Sequence, residues 1–126
     1  MALIKGIIAV GVILLLMPFS ATANEVSKDD WIKGMSTALP AYFCNADQYF
    51  RQCFKVTKIE CEETALSTTR ICLAQSKDKI PARLRQPEDG AHWGTIVGSC
   101  AGQAYEITLQ KKRISSAKCN DQNNWK

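Results

Sequence analysis

The sequence predicts an all-α fold, a small bundle of about four helices tied together by disulfides. In several segments apolar residues recur at helical spacing after residues typical of helix starts. Six cysteines occur in a chain of only 126 residues. No segment of the sequence has the regular alternation of apolar and polar residues that predicts a strand.

The first 23 residues have the features of a cleaved secretory signal. Lys5 precedes an apolar run over residues 7–17, and Ala21-Thr22-Ala23 provides a small-residue cleavage site before Asn24. The apolar run is shorter than the roughly 20 residues that a membrane-spanning helix needs. We therefore expect an exported protein, periplasmic or secreted from the cell, with no integral membrane span.

The rest of the chain is long enough for a single domain. We expect a helical domain over residues 24–119 and a flexible polar tail over residues 120–126, in which Trp125 is interpreted as a mobile residue and not as a recognition anchor. Removal of Lys5 changes the net charge from +4 to +3. This charge is a mild bias toward anionic partners.

The first two predicted helices begin at recognisable caps. Ser27-Lys28-Asp29-Asp30 is typical of a helix start, because acids in the first turn interact favourably with the helix dipole. Pro40 is expected to end or kink this helix. Asn45-Ala46-Asp47-Gln48 fits a second capping box, which predicts a second helix running through Phe54.

Two further helices are predicted in the second half of the chain. Thr57-Lys58-Ile59-Glu60 repeats the capping pattern and opens a third helix to about Ser76. Residues 77–90 contain prolines and an Asp-Gly pair, so they predict an irregular connection. A fourth helix is predicted from about Ala91 to Lys112.

The fourth helix has two apolar faces when it is projected at 100° per residue. Gly94, Gly98 and Gly102 lie on one face, and each glycine inside a helix costs about 1 kcal/mol relative to alanine. We infer that they allow close approach of another helix, either the first helix or a second copy of the chain in a homodimer. Cys100 lies in the middle of the other face, which we expect to be buried and which contains Trp93, Ile96, Val97, Cys100, Ala104 and Ile107.

All six cysteines follow the predicted signal, and an even number in an exported chain predicts three disulfides. Six cysteines allow fifteen pairings. If the second and third helices form an antiparallel hairpin that turns near Thr57, two cysteine pairs lie symmetrically about the turn and the remaining two cysteines pair with each other. The predicted disulfides are Cys53–Cys61, Cys44–Cys72 and Cys100–Cys119.

The spacings C-x8-C and C-x10-C between Cys44 and Cys72 are similar to the twin C-x9-C hairpin of the coiled-coil-helix-coiled-coil-helix proteins. The resemblance covers that segment only and implies the hairpin geometry without a function. A zinc site would need closer cysteine pairs and histidine support, whereas the chain has the single histidine His92. We therefore expect no metal site.

The sequence also predicts a non-catalytic protein without a cofactor. Residues 98–102 match G-x-C-x-G, the pattern of a nucleophile elbow, but they follow a predicted helix where the elbow needs a strand. His92 lies eight residues from Cys100, about 12 Å along a helix axis and too far for a Cys/His pair. The acids Glu60, Glu62 and Glu63 are interpreted as partners of the helix dipole in the first turns of the third helix.

Two basic segments flank the fourth helix, one in the connection before it and one after it. Together they could form a patch for phosphate groups, since Arg and Lys are the usual phosphate binders. Each segment alone is also explained as solvated surface or as charge at a helix C-terminus. The candidate headgroup-binding residues are Lys77, Lys79, Arg83, Arg85, Lys111, Lys112, Arg113 and Lys118.

The cleavage motif Ala21-Thr22-Ala23 and the six-cysteine framework resemble small exported proteins of Gram-negative bacteria, including accessory effectors released by type II secretion. The resemblance implies action outside the cytoplasm, including at a host membrane. Joined to the basic segments, it favours an effector that binds anionic phospholipid headgroups such as phosphoinositides. The alternative is a periplasmic immunity or inhibitor protein that caps a partner protein. No nucleic-acid partner is expected.

Overall fold

A computed structural model describes residues 24–125 and confirms the predicted mostly helical, disulfide-linked fold. The signal predicted over residues 1–23 lies outside the described residues. Three long helices form the body, and α3 packs against both α1 and α4. In chain order the elements are β1 (Glu25–Ser27), α1 (Lys28–Phe43), α2 (Tyr49–Gln52), α3 (Lys58–Ser76), β2 (Arg83–Arg85), α4 (Glu88–Thr108), a 3-10 turn (Gln110–Lys112), α5 (Ala117–Asn120) and a second 3-10 turn (Gln122–Trp125).

The predicted caps of α1 and α3 are confirmed. The Ser27 hydroxyl accepts a hydrogen bond from the backbone N–H of Asp30 at 3.2 Å, and the Thr57 hydroxyl accepts one from the N–H of Glu60 at 3.1 Å. Each cap satisfies a backbone donor that has no partner within its own helix. Pro40 lies inside α1 without ending it, because the helix continues to Phe43.

The predicted second helix is much shorter than expected. α2 is a single turn, and its cap residue Gln48 makes no side-chain capping bond. After it the chain becomes extended, because Phe54 forms a β-bridge with Arg113 and the carbonyl of Cys53 accepts a hydrogen bond from the N–H of Ile114. The prediction of an antiparallel helical hairpin between residues 45 and 76 is therefore wrong.

A two-stranded antiparallel sheet closes one end of the bundle. β1 pairs with β2, with Val26 opposite Leu84, and Leu84 is fully buried. Each strand has three residues, too few to give a recognisable alternation in the sequence. The pair ties the N-terminus of α1 to the connection between α3 and α4.

The core at the other end of the bundle is aromatic. Phe43 from α1 stacks on Phe50 with ring centroids 4.2 Å apart. Tyr105 from α4 meets Phe50 and Phe54 edge to face, at 5.2 and 5.1 Å between centroids. Edge-to-face and offset-stacked rings are favourable beyond the area that they bury. This cluster anchors α2 and the extended segment after it.

The three disulfides differ from the predicted ones. The structure joins Cys44 to Cys61, Cys53 to Cys119 and Cys72 to Cys100, so the predicted pairs Cys53–Cys61, Cys44–Cys72 and Cys100–Cys119 are all wrong. They depended on the helical hairpin, which is not formed. Cys53 instead faces the C-terminal segment, and α4 runs antiparallel to α3, which brings Cys100 opposite Cys72.

The buried face of α4 is rotated by roughly a third of a turn from the predicted one. Val97, Ala101 and Tyr105 are fully buried, whereas Ile96 and Ile107 are exposed. α1, α3 and the aromatic cluster all contact α4. The residues of α4 that lie between these contacts are therefore its most deeply buried residues. Cys100 lies half-buried at the margin toward α3, where it is disulfide-bonded as predicted but to a different partner.

The three glycines of α4 are not equivalent. A Cβ atom added at Gly94 would meet nothing within 4 Å, and one at Gly98 would meet only Leu39 Cδ1 at 3.9 Å. One at Gly102 would lie 3.0 Å from Phe50 Cζ. Within the described chain the close approach occurs only at Gly102, where the neighbour is an aromatic ring and not a helix backbone; contact of Gly94 and Gly98 with a second copy of the chain stays a prediction.

Alanine substitutions should separate these roles. Gly94→Ala and Gly98→Ala should each stabilise the protein, by up to about 1 kcal/mol, because alanine is the better helix former and fits the space. Gly102→Ala should give no gain or a loss, since the Phe50 ring must shift. Urea unfolding of the three variants measures the difference, and an equal gain at all three positions would contradict the assignment.

Candidate functional site

The structure places the two predicted basic segments at opposite ends of α4. Lys77, Lys79, Arg83 and Arg85 precede its N-terminus, and the residues from Lys111 to Lys118 follow its C-terminus. α4 has 21 residues, a length of about 30 Å. The expected single patch is therefore wrong, because the helix separates the segments. We call them the β2 end and the Lys111 end.

Both arginines of the β2 end are engaged in ion pairs. Arg83 Nε lies 3.1 Å from a carboxylate oxygen of Glu25, and Arg85 Nε lies 3.3 Å from Asp89 Oδ2. Hydrogen bonds from the backbone and the side chain of Arg85 lower the pKa of Asp89. The lysines of this end, Lys77 and Lys79, are exposed and have no ion pair within residues 24–125.

At the Lys111 end, the Arg113 side chain joins α2 to the C-terminal segment by hydrogen bonds. Its Nε donates to the Tyr49 hydroxyl at 2.8 Å, Nη2 donates to the carbonyl of Cys119 at 3.0 Å, and Nη1 donates to the carbonyl of Ile114 and to Asn120 Oδ1. With these donors engaged, the guanidinium cannot grip a phosphate in the bidentate way typical of arginine.

The neighbouring lysines of this end include one that the sequence did not single out. The Lys55 backbone N–H donates to the carbonyl of Lys112 at 2.8 Å, so Lys55 lies beside the segment after α4. We call Lys55, Lys111 and Lys112 the lysine cluster. Lys112 pairs with Glu60, whereas Lys55 and Lys111 are exposed and form no ion pair in the described part of the chain.

Lys118 lies at the edge of this region and interacts with the protein itself. Its Nζ donates to Gln52 Oε1 at 2.8 Å and lies 5.1 Å from the centre of the Trp125 ring. Trp125 Nε1 donates to the Lys118 carbonyl at 3.1 Å. The tryptophan that we interpreted as mobile is thus placed against α5.

A pocket of about 450 Å³ opens between α2, the C-terminal half of α4 and the tail. Its walls combine four aromatic rings with five polar or charged side chains, so it is more polar than most small-molecule pockets. We call it the aromatic pocket. The lining residues important for its chemistry are Tyr42, Tyr49, Phe50, Trp125, Glu106 and Arg113.

A chain of hydrogen bonds crosses this pocket through Tyr49. The Tyr49 hydroxyl donates to Glu106 Oε1 at 2.6 Å while it accepts from Arg113. Burial, followed by the hydrogen bond to Glu106, raises the pKa of Tyr49. Nearby, Tyr105 donates to the carbonyl of Phe50 at 2.9 Å, and burial raises its pKa to about 12. Both phenols therefore stay protonated at neutral pH.

The catalytic candidates weighed from the sequence have ordinary surroundings. Cys100 is bonded to Cys72, so it provides no thiolate, and His92 is an exposed residue near the start of α4. Within residues 24–125 no group of three His, Cys, Asp or Glu side chains is placed to hold a metal ion. None of the helices in that range is long and apolar enough to cross a membrane.

Comparison with known proteins identifies one family over most of the chain. The family model described as "NttA: T2SS substrate NttA" matches residues 25–113, where T2SS denotes the type II secretion system. The matched range contains every element from β1 to the 3-10 turn after α4 and five of the six cysteines. No curated protein and no solved structure matches the chain.

Proposed function

The chain belongs to the NttA family of type II secretion substrates and is therefore an exported protein; from this premise we propose that it is a non-catalytic protein that binds anionic phospholipid headgroups. Phosphoinositides are the specific headgroup class that we propose. The single observation that carries the proposal is the lysine cluster, where the β-bridge between Phe54 and Arg113 brings Lys55 beside Lys111 and Lys112.

The lysine cluster suits a membrane surface better than the β2 end does. A basic residue near an anionic membrane contributes about 1 kcal/mol, and this attraction weakens as salt screens it. At the β2 end two of the four candidate side chains are neutralised by Glu25 and Asp89. At the Lys111 end Lys112 is paired with Glu60, but Lys55, Lys111 and Lys118 form no ion pair in the described residues, one more than the two unpaired lysines of the β2 end.

Vesicle co-sedimentation with paired variants tests the proposal. Lys55→Ala with Lys111→Ala should weaken binding to vesicles containing a phosphatidylinositol phosphate roughly 30-fold, since two lysines are lost. Lys77→Ala with Lys79→Ala is the matched control, because it removes the same charge from the β2 end and should leave binding nearly unchanged. Arg113 is kept because its loss would disturb the fold.

Four outcomes would contradict this proposal in whole or in part. Equal losses in both double variants would indicate a general effect of net charge. Binding that is the same on neutral and anionic vesicles, or that does not fall as salt is raised, would exclude an electrostatic headgroup site. Equal binding to phosphatidylserine vesicles of the same charge density would retain anionic lipid binding but remove the phosphoinositide preference.

A second candidate function is the capping of a partner protein, as a periplasmic immunity or inhibitor protein does. The observation that favours it is exposed apolar surface on α3 and α4. Residues 90–105 contain no Asp, Glu, Lys or Arg, and Ile71, Ile96 and Ile107 are 53%, 40% and 70% exposed. This function predicts a stoichiometric protein complex that forms without lipid. The double variant Ile96→Ser and Ile107→Ser should lose the complex, and native mass spectrometry measures it.

A further inference from the structure

We infer that the aromatic pocket is a binding site for an organic ammonium group, that is, a substituted amine carrying a positive charge. The inference does not rest on the proposed lipid function, because it concerns a different surface and the opposite ligand charge. It follows from the charges that line the pocket, from its rings and from its size.

The Glu106 carboxylate is the acceptor that remains available to a ligand in the pocket. Glu106 accepts a hydrogen bond from Tyr49 on one carboxylate oxygen, and no basic side chain lies within ion-pair distance of it in the described residues. Arg113 is the cation of the pocket lining, but its donors are bonded to Tyr49, Asn120 and two backbone carbonyls. Glu106 therefore attracts a cationic ligand through its exposed carboxylate, whereas Arg113 keeps its positive charge but has most of its donors engaged and offers an anion few hydrogen bonds.

The rings of the pocket favour the same ligand. The faces of Tyr and Trp rings attract cations through their negative quadrupole, and an aromatic cage with an acid is how proteins recognise alkylated ammonium groups. The protein's own cations already lie over one face of two of these rings, with Arg113 5.4 Å from the centre of the Tyr49 ring and Lys118 5.1 Å from that of Trp125, so a ligand must use the ring surface that remains. Tyr42, which is 58% exposed, and Phe50 provide further ring surface.

The size of the pocket limits the ligand to a small group. A volume of about 450 Å³ lies in the lower part of the range for small-molecule sites. It can hold a trimethylammonium group with a short chain attached. The pocket is open on one side, so the ammonium group can belong to a free amine or to the choline headgroup of a phospholipid.

Titration with choline, followed by NMR or calorimetry, tests the site on the exported chain. Choline and tetramethylammonium should bind with millimolar or tighter affinity, and Glu106→Gln should weaken choline binding about fivefold or more. Tyr42→Ala should also weaken it. Glu63→Gln is the matched control, because this exposed acid lies on α3 outside the pocket and should leave the affinity unchanged.

Further arms identify the source of the ammonium group and separate this site from the lipid proposal. Loss of phosphatidylcholine vesicle binding in Glu106→Gln would assign the headgroup, whereas binding of free choline alone would assign a soluble amine. The Lys55→Ala and Lys111→Ala variant should bind choline as the unmodified chain does. No choline binding at tens of millimolar, equal binding in folded Glu106→Gln, or equal binding of acetate would overturn the inference.

Discussion

Replacing Cys53 and Cys119 with alanine should destabilise the protein by about 4 kcal/mol, more than the loss of either of the other two disulfides. This disulfide joins residues 66 apart in sequence, compared with 17 for Cys44–Cys61 and 28 for Cys72–Cys100. In the chain-entropy description a cross-link stabilises by restricting the unfolded chain, and the effect grows with the length of the loop. The two shorter loops should contribute about 3 to 3.5 kcal/mol each.

Urea unfolding of the three double-alanine variants measures this order. The Cys53 and Cys119 variant should unfold at the lowest urea concentration, because the same disulfide also holds the C-terminal segment against the extended chain around Phe54. If the Cys44 and Cys61 variant were the least stable of the three, native contacts and not loop length would determine the order.

Tyr105→Ala should destabilise the protein by about 3 to 5 kcal/mol, the usual cost of deleting a large buried aromatic side chain. Tyr105 has no solvent-exposed surface. It meets Phe43, Phe50 and Phe54 edge to face and thereby joins α1, α4 and the segment around α2. Its removal opens a cavity where these elements meet.

Two further tyrosine variants separate the contribution of the Tyr105 hydrogen bond from that of ring packing. Tyr105→Phe keeps the ring but leaves the carbonyl of Phe50 without its hydrogen-bond donor, and it should cost about 1 to 2 kcal/mol. Tyr42→Ala removes a tyrosine that is 58% exposed and should change stability by less than about 0.5 kcal/mol. Denaturant unfolding provides the comparison, and equal losses for Tyr105→Ala and Tyr42→Ala would contradict the packing described above.

The parts of the fold that the sequence predicted well depend on local interactions. The caps at Ser27 and Thr57 involve atoms only three residues apart, so a short pattern contains the whole signal. The predicted length of α2 was wrong because this segment depends on distant contacts. Asn45 to Gln48 resembles a capping box, but the disulfide of Cys53 and the β-bridge of Phe54 pull the chain into an extended conformation, and both partners are more than 50 residues away in sequence.

The candidate site was also predicted only in those features that do not depend on distant contacts. The basic character of the chain was evident from the sequence, but the pairing of Arg83 with Glu25 and the engagement of Arg113 in the fold depend on tertiary structure. Lys55 was missed because its proximity to Lys112 comes from a bridge between distant segments. The contact of Trp125 with Lys118 was not foreseen because the polar composition of the tail contains no sign of it.

The arrangement of the disulfides also determines what a protease can release from this exported protein. Every peptide bond between Cys44 and Cys119 lies within the loop of at least one disulfide. A single cut anywhere in that range therefore leaves two pieces that remain covalently joined. A cut before Cys44 separates β1 and α1 with Trp31, and a cut after Cys119 separates the tail with Trp125, which packs against the core. Outside the cell, the connection before α4 could be nicked without loss of any part of the bundle.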